Sequence, residues 1–182
     1  MNKLPENFEL ERYGLQVRLV QEKDAEFIVK LRTDESLGQY IHATSTDVNK
    51  QIEWIKEYKA REQNGADYYF IYSMDGKPIG VNRIYNIKDD SATTGSWVCV
   101  KDINPAYSII TMLIVREILF EMLNISVNIF EVNKQNTRVL KIHQMMGAEM
   151  IHEDDINFYF KQTSIDFVDN RNRMVKLLGL KK

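Results

Sequence analysis

Little in this sequence could staple or anchor the chain. Cys99 is its only cysteine, so a disulfide framework is excluded and a reducing cytoplasm is the default compartment. Nothing resembles a zinc-ligand cluster, and no metal is expected. No apolar run reaches transmembrane length. Residues 1–12 are polar and acidic, without the apolar core of a signal peptide. There is no internal repeat, low-complexity tract or linker. The formal net charge is only −2 over 182 residues, with basic and acidic side chains alternating throughout. That balance argues against nucleic acid and against a membrane surface as partners. What remains is an ordinary globular composition, 44% hydrophobic and 27% charged, at a length that suits one domain with a full core.

The chain is organised around Glu131–Ala148. An apolar, β-branched run (126–130) ends there, turns through polar residues and continues as a short helix. Val139, Ile142, His143 and Met146 recur at helical spacing, and Gly147 stands where a left-handed cap would end it. A strand feeding a helix in this way is a common wall of a ligand cleft, and Asn136 and His143 are expected to face one. Upstream, residues 1–14 read as a loosely held lead-in and 15–20 as a first strand. Asp24 caps a helix with Phe27, Ile28 and Leu31 inward, and Asp47 opens a second helix to about Gln63. Between them lies a polar loop bearing Tyr40 and His42, which with Trp54 could form one wall of a substrate pocket or an ordinary surface loop. Tyr68–Ser73 and Ile79–Tyr85 form a hairpin around Asp75-Gly76. A polar loop over 89–95 then leads to a central strand, Ser96–Val100.

Asn104 and Pro105 start a long helix to about Leu123. The backbone N–H groups of Ala106, Tyr107 and Ser108, at a helix start after a central strand, suit an anion such as a pyrophosphate. Two short strands (149–153, 156–163) and a C-terminal helix (167–180) follow. The unit from Ser96 to Val132 should be parallel, with a right-handed crossover. The fold class is therefore α/β, one domain over 15–165 with the terminal helix of 166–182 packed on it.

This order resembles the GCN5-related N-acetyltransferase (GNAT) superfamily across residues 17–160. The resemblance rests on the Asp75-Gly76-Lys77-Pro78-Ile79-Gly80 hairpin, the central strand leading into a long helix, the Asn136–Gly147 segment after its polar turn, and the trailing strand pair. It implies a mixed sheet of about 6–7 strands with flanking helices and a splay between the two central parallel strands. Within the superfamily, residues 40–54 and the 131–148 spacing are similar to bacterial transferases that acetylate amino-dideoxy sugar nucleotides. Two positions depart from the family pattern. The loop at 102–108 lacks the glycines that usually hold the coenzyme A pyrophosphate, and His143 stands where a tyrosine is usual.

The resemblance implies direct acyl transfer from acetyl-CoA to a small-molecule primary amine. Val98, Cys99 and Val100 would line the coenzyme, a backbone N–H of Val98 or Cys99 would meet the thioester carbonyl, and Asn136 would contact the pantetheine arm or simply cap its helix. His143 is the candidate general acid, or a neutral group orienting the thiol, or a packed helix residue. Glu131 is the candidate base through water, or a solvated strand end. Tyr40, His42, Arg83 and Tyr85 would border the acceptor. Cys99 reads as a small core residue rather than a nucleophile. Acylation of a peptide N-terminus and coenzyme binding without catalysis are the alternatives, and a homodimer stays open.

Overall fold

The computed structural model describes residues 2–41 and 43–180. One eight-stranded sheet runs through the molecule in the order β1-β2-β3-β4-β5-β6-β8-β7. Residues 9–12, expected in the lead-in, form β1 (Glu9–Arg12), which pairs antiparallel with β2 (Leu15–Leu19) across a turn at Tyr13 and Gly14, both at positive φ. That strand escaped detection because it is a short, polar sheet edge. Phe8 just before it is nevertheless buried, and the buried Glu117 carboxylate accepts from both Arg12 and Tyr13.

After α1 (Ala25–Arg32) and α2 (Val48–Gln63) comes the hairpin β3 (Tyr68–Met74) and β4 (Lys77–Lys88). Asp75 (φ 51°) and Gly76 (φ 74°) make its two-residue turn, as the Asp-Gly pair requires. Gly80 has a second reason to be glycine: a Cβ there would meet Cys99 Sγ at 2.7 Å and the Val98 carbonyl oxygen at 2.9 Å. β5 spans Ser91–Cys99, longer than expected. The polar residues 89–95 read as a loop, but only Asp89 and Asp90 turn, and Thr94 is buried within the strand.

α3 (Pro105–Glu117) crosses back, its last turns widening into a π-helical stretch at Ile118–Met122, and delivers the chain to β6 (Val127–Asn133). Then follow α4 (Thr137–Met145), β7 (Glu149–Glu153), β8 (Asn157–Thr163) and α5 (Ser164–Leu177). α5 begins three residues before its sequence signal because Thr163 and Asp166 form a reciprocal capping box. One face of the sheet packs Ile71, Val81 and Val98 against Ile28 and Leu31 of α1 and Ile55 and Tyr58 of α2. The other packs Phe70 and Tyr72 against Leu113 and Ile114 of α3 and Phe167 of α5.

The feature that positions the site is the junction of β5 and β6. They pair in parallel only at Ser91↔Val127 and Ala92↔Asn128, then diverge. Divergence would strand the Thr94 N–H inside the protein. The wholly buried Asn128 meets that need: its Oδ1 accepts from Thr94 N and its Nδ2 donates to Thr94 Oγ1, each at 3.1 Å. Beyond this point β5 carries one extra residue against β4, with Ser96 at φ 51°, so the strand bulges as it leaves its neighbour.

Candidate active site

Three cavities run side by side from the splay. The first, a groove of about 490 Å³, lies between the end of β5, the start of α3 and α4, and is lined by Val98, Cys99, Val100, Ser108, Asn136 and Arg138 among others. The second, about 100 Å³, shares Tyr40, Ile41, Trp97, Asn136 and Val139 with the first and adds Asn82, Ser96, Arg116, Glu131 and His143. The third, about 480 Å³, meets the second at Ser96 and is walled by Arg32, Lys50, Gln51, Trp54, Tyr69, Arg83 and Tyr85.

The groove brings together most of the residues expected to line a coenzyme. Past Ala92, β5 has no ladder partner on the β6 side, so its backbone there is open to an extended ligand. Asn136 caps α4, accepting from Val139 N at 3.4 Å, while also bordering two cavities, so the cap and the cleft positions coincide. Of the three residues expected at the helix start, Ser108 alone lines the groove. Ala106 N donates to Asn104 Oδ1 at 3.0 Å and Tyr107 N to Asn104 O at 2.9 Å, and neither residue lines the groove. The side chain and carbonyl of Asn104 thus take up two of the amides proposed for an anion. Burial pushes the Cys99 thiol up, and its Sγ lies 3.6 Å from Thr111 Oγ1, an environment for a packed thiol rather than a nucleophile.

His143 is 6% exposed. Its ring sits 4.3 Å from that of Phe130, with Trp97 and Phe160 at 6.3 and 6.2 Å. Burial, reinforced by the Arg116 charge, holds its pKa well below the ordinary histidine value. That disfavours an imidazolium and with it the general-acid reading, while a neutral thiol-orienting ring and a packed helix residue both fit these surroundings. Glu131 is exposed at the end of β6 and lines the small cavity. Tyr40 borders the first two cavities rather than the third, and His42 lies outside the described residues. Arg83 and Tyr85 do line the third. Arg83 makes a two-pronged ion pair with Asp67, Nε to Oδ1 at 2.7 Å and Nη2 to Oδ2, and its guanidinium lies 5.0 Å from the Trp54 ring and 4.7 Å from that of Tyr85.

Sequence reasoning missed Arg116, Asn128, Arg32 and Lys50. A basic residue within the apolar run of α3 was the available signal for Arg116. Asn128 gave none, because what it satisfies is created only when the strands part. Among the described residues, no group of three or more His, Cys, Asp or Glu is placed to hold a metal, and no helix is long and apolar enough to cross a membrane.

Residues 15–149 match the family described as an acetyltransferase (GNAT) domain. Among solved structures, apo FdhC, described as a nucleotide-linked sugar GNAT, is 37% identical over 95% of this chain and 99% of its own, with a TM-score of 0.85. Mycobacterium smegmatis RimJ in complex with CoA-disulfide is 15% identical over 95% of this chain and 94% of its own, at a TM-score of 0.78. A ribosomal-protein-S5-alanine acetyltransferase from Vibrio fischeri is 13% identical over 88% and 99%, at 0.75. The last two likenesses are of fold alone. A comparison with curated proteins gives no match.

Proposed function

This chain belongs to the GNAT acetyltransferase family, and from that premise we propose that it transfers an acetyl group from acetyl-CoA to the primary amine of an amino-dideoxy sugar carried on a nucleotide. The observation that carries the acceptor is the third cavity. It combines Arg32, Lys50 and Arg83, the last already ion-paired with Asp67, with three aromatic side chains, Trp54, Tyr69 and Tyr85, and among the described residues no carboxylate lines it. Diphosphate is recognised by guanidinium and ammonium groups, and a nucleobase or sugar face by aromatic rings. Among the described lining residues a polyamine would find no carboxylate to pair with. The description of FdhC as a nucleotide-linked sugar GNAT supports the same reading.

Acetyl-CoA, when bound, supplies an activated acyl group whose carbonyl oxygen gains charge and whose sulfur leaves. The residues for it fit: Val98 and Cys99, laddered to β4, have no strand partner on the β6 side, and Ser108 and Asn136 offer polar side chains along the same groove. A Val98 or Cys99 backbone N–H would donate where the oxyanion forms. Neutral His143 donates a hydrogen bond toward the departing sulfur without surrendering a proton. Glu131, exposed on the wall of the small cavity, receives the proton of the attacking amine through water.

The test is thiol release with acetyl-CoA and a panel of amines: amino-dideoxy sugar nucleotides, the same sugars without nucleotide, a polyamine and an N-terminal peptide. Charge-assisted contacts to a diphosphate are worth about 1.5–3 kcal/mol each, so the nucleotide-linked sugar should lead its free sugar by on the order of 100-fold in kcat/KM. A peptide or polyamine turning over faster than every sugar nucleotide would overturn the reading.

A further inference from the structure

Arg116 is the least expected residue in the core. It is 1% exposed on α3, yet no carboxylate lies within ion-pairing distance of it among the described residues. Its pKa is lowered to about 9 by burial, which still leaves it charged at neutral pH. Burying a cation without a counter-ion is costly, and a hydrophobic residue of similar volume would commonly serve stability as well or better. Its contacts show what it does instead. Nε donates to Gln162 Oε1 at 2.6 Å, Nη2 lies 3.2 Å from His143 Nδ1, and the guanidinium rests 5.0 Å from the Phe130 ring. Gln162 is itself fixed, because its Nε2 donates to the Met146 carbonyl at the end of α4. The chain Met146–Gln162–Arg116–His143 thus ties β8, α3 and α4 to one imidazole.

Arginine has donors and no acceptor. A contact between Nη2 and Nδ1 therefore requires Nδ1 to be the bare, accepting nitrogen, which places the imidazole hydrogen on Nε2. We propose that Arg116 is the positioning residue for His143: it selects the Nε2–H tautomer and presents the opposite edge of the ring as a neutral donor to the cavity that both residues line. The inference rests on the thiol-orienting role given to His143 above. Among the described residues, the other groups around that ring are the aromatic side chains of Trp97 on β5, Phe130 on β6 and Phe160 on β8, with Tyr40 and Glu131 on the same cavity wall, and none of these is a cation. A tyrosine or glutamine in place of Arg116 could accept as well as donate and would leave the tautomer undetermined.

The experiment is 15N-resolved NMR of the imidazole nitrogens in the full-length protein, with the His143 signals identified by their loss in His143→Gln. The unmodified protein should show His143 as the Nε2–H tautomer, with no titration from pH 8 to pH 5.5. Arg116→Met should mix the tautomers, bring the titration back toward the ordinary range and cut kcat about 10- to 100-fold while changing KM for acetyl-CoA less than 3-fold. An Nδ1–H tautomer or an imidazolium at pH 6 in the unmodified protein overturns the proposal without any variant, so it stays testable if Arg116→Met does not fold. Mixed tautomers with unchanged kcat also overturn it. The tautomer measurement needs no acceptor, so it fails or succeeds separately from the sugar-nucleotide reading.

Discussion

Asn128→Ala should destabilise this protein out of proportion to the size of the side chain. The substitution removes one hydrogen bond to Thr94 Oγ1, worth about 1 kcal/mol net, and leaves the buried Thr94 N–H without a partner, worth a further ~1–3 kcal/mol. No strand stands ready to replace Asn128, because β6 is already diverging from β5 there. Together these come to about 2–4 kcal/mol, an upper figure because the asparagine's own desolvation cost is relieved at the same time. For a domain of this size that is a fall of ~5–15 °C in Tm. The isosteric N128D separates the two contributions. Protonated, its carboxyl can still accept from the Thr94 N–H and donate to the hydroxyl; ionised, it places an unpaired charge in the core. Its pKa should be raised by burial, so its stability should be nearest to that of the original protein at pH 5 and decline as pH rises toward 8. Urea unfolding at both pH values, with amide exchange at Thr94, measures each effect. An Asn128→Ala protein within 0.5 kcal/mol of the original, with the Thr94 amide still protected, would refute the claim that this side chain satisfies the Thr94 amide where the strands part.

Three further outcomes follow from the site. His143→Phe should fit the aromatic box of Trp97, Phe130 and Phe160 and keep acetyl-CoA binding by calorimetry within about 3-fold, while turnover drops at least 10-fold; unchanged turnover would remove His143 from the chemistry. Because His143 is held well below 6.5 when folded, the unfolded chain takes up its proton first as pH falls. Stability from this group is complete above that pH and declines below it, by up to about 1.4 kcal/mol per pH unit, and His143→Phe should lack that component in paired denaturation curves at pH 7.5 and 5.5. Trp54→Ala should weaken a sugar-nucleotide acceptor by roughly 1–3 kcal/mol in kcat/KM through lost stacking, with KM for acetyl-CoA unaffected; equal loss for the free sugar would mean that Trp54 does not meet the nucleotide.

Local chemistry made much of the fold legible. Asp75-Gly76 demanded a two-residue hairpin, Asn104-Pro105 a helix start, and Asn136 a cap at the mouth of a cleft. The parallel unit followed from a strand, a long apolar helix and a second strand. Where reading failed, the deciding contact lay far away in sequence. Arg116 and Gln162 are 46 residues apart and Thr94 and Asn128 are 34 apart; neither pair has a local signature. The protonation of His143 depends on burial and on Arg116, 27 residues earlier. At Ala106 to Ser108 the sequence was ambiguous for a different reason. The same residues carried two signals, a capping asparagine and a set of open amides, and the two compete for the same hydrogens. Proximity settled the competition in favour of the cap.

The row of three cavities also constrains the order of events in turnover. The middle chamber borders both of the larger ones, so a reaction housed in it has donor and acceptor aboard together, and no acetylated form of the protein is required between them. Cys99, the one thiol that could have carried such a group, is packed and poorly ionised. Initial-rate lines at varied acetyl-CoA should therefore intersect rather than run parallel as acceptor concentration changes. On the proposed reaction the two products would occupy different chambers, so departure of one would not have to wait for the other.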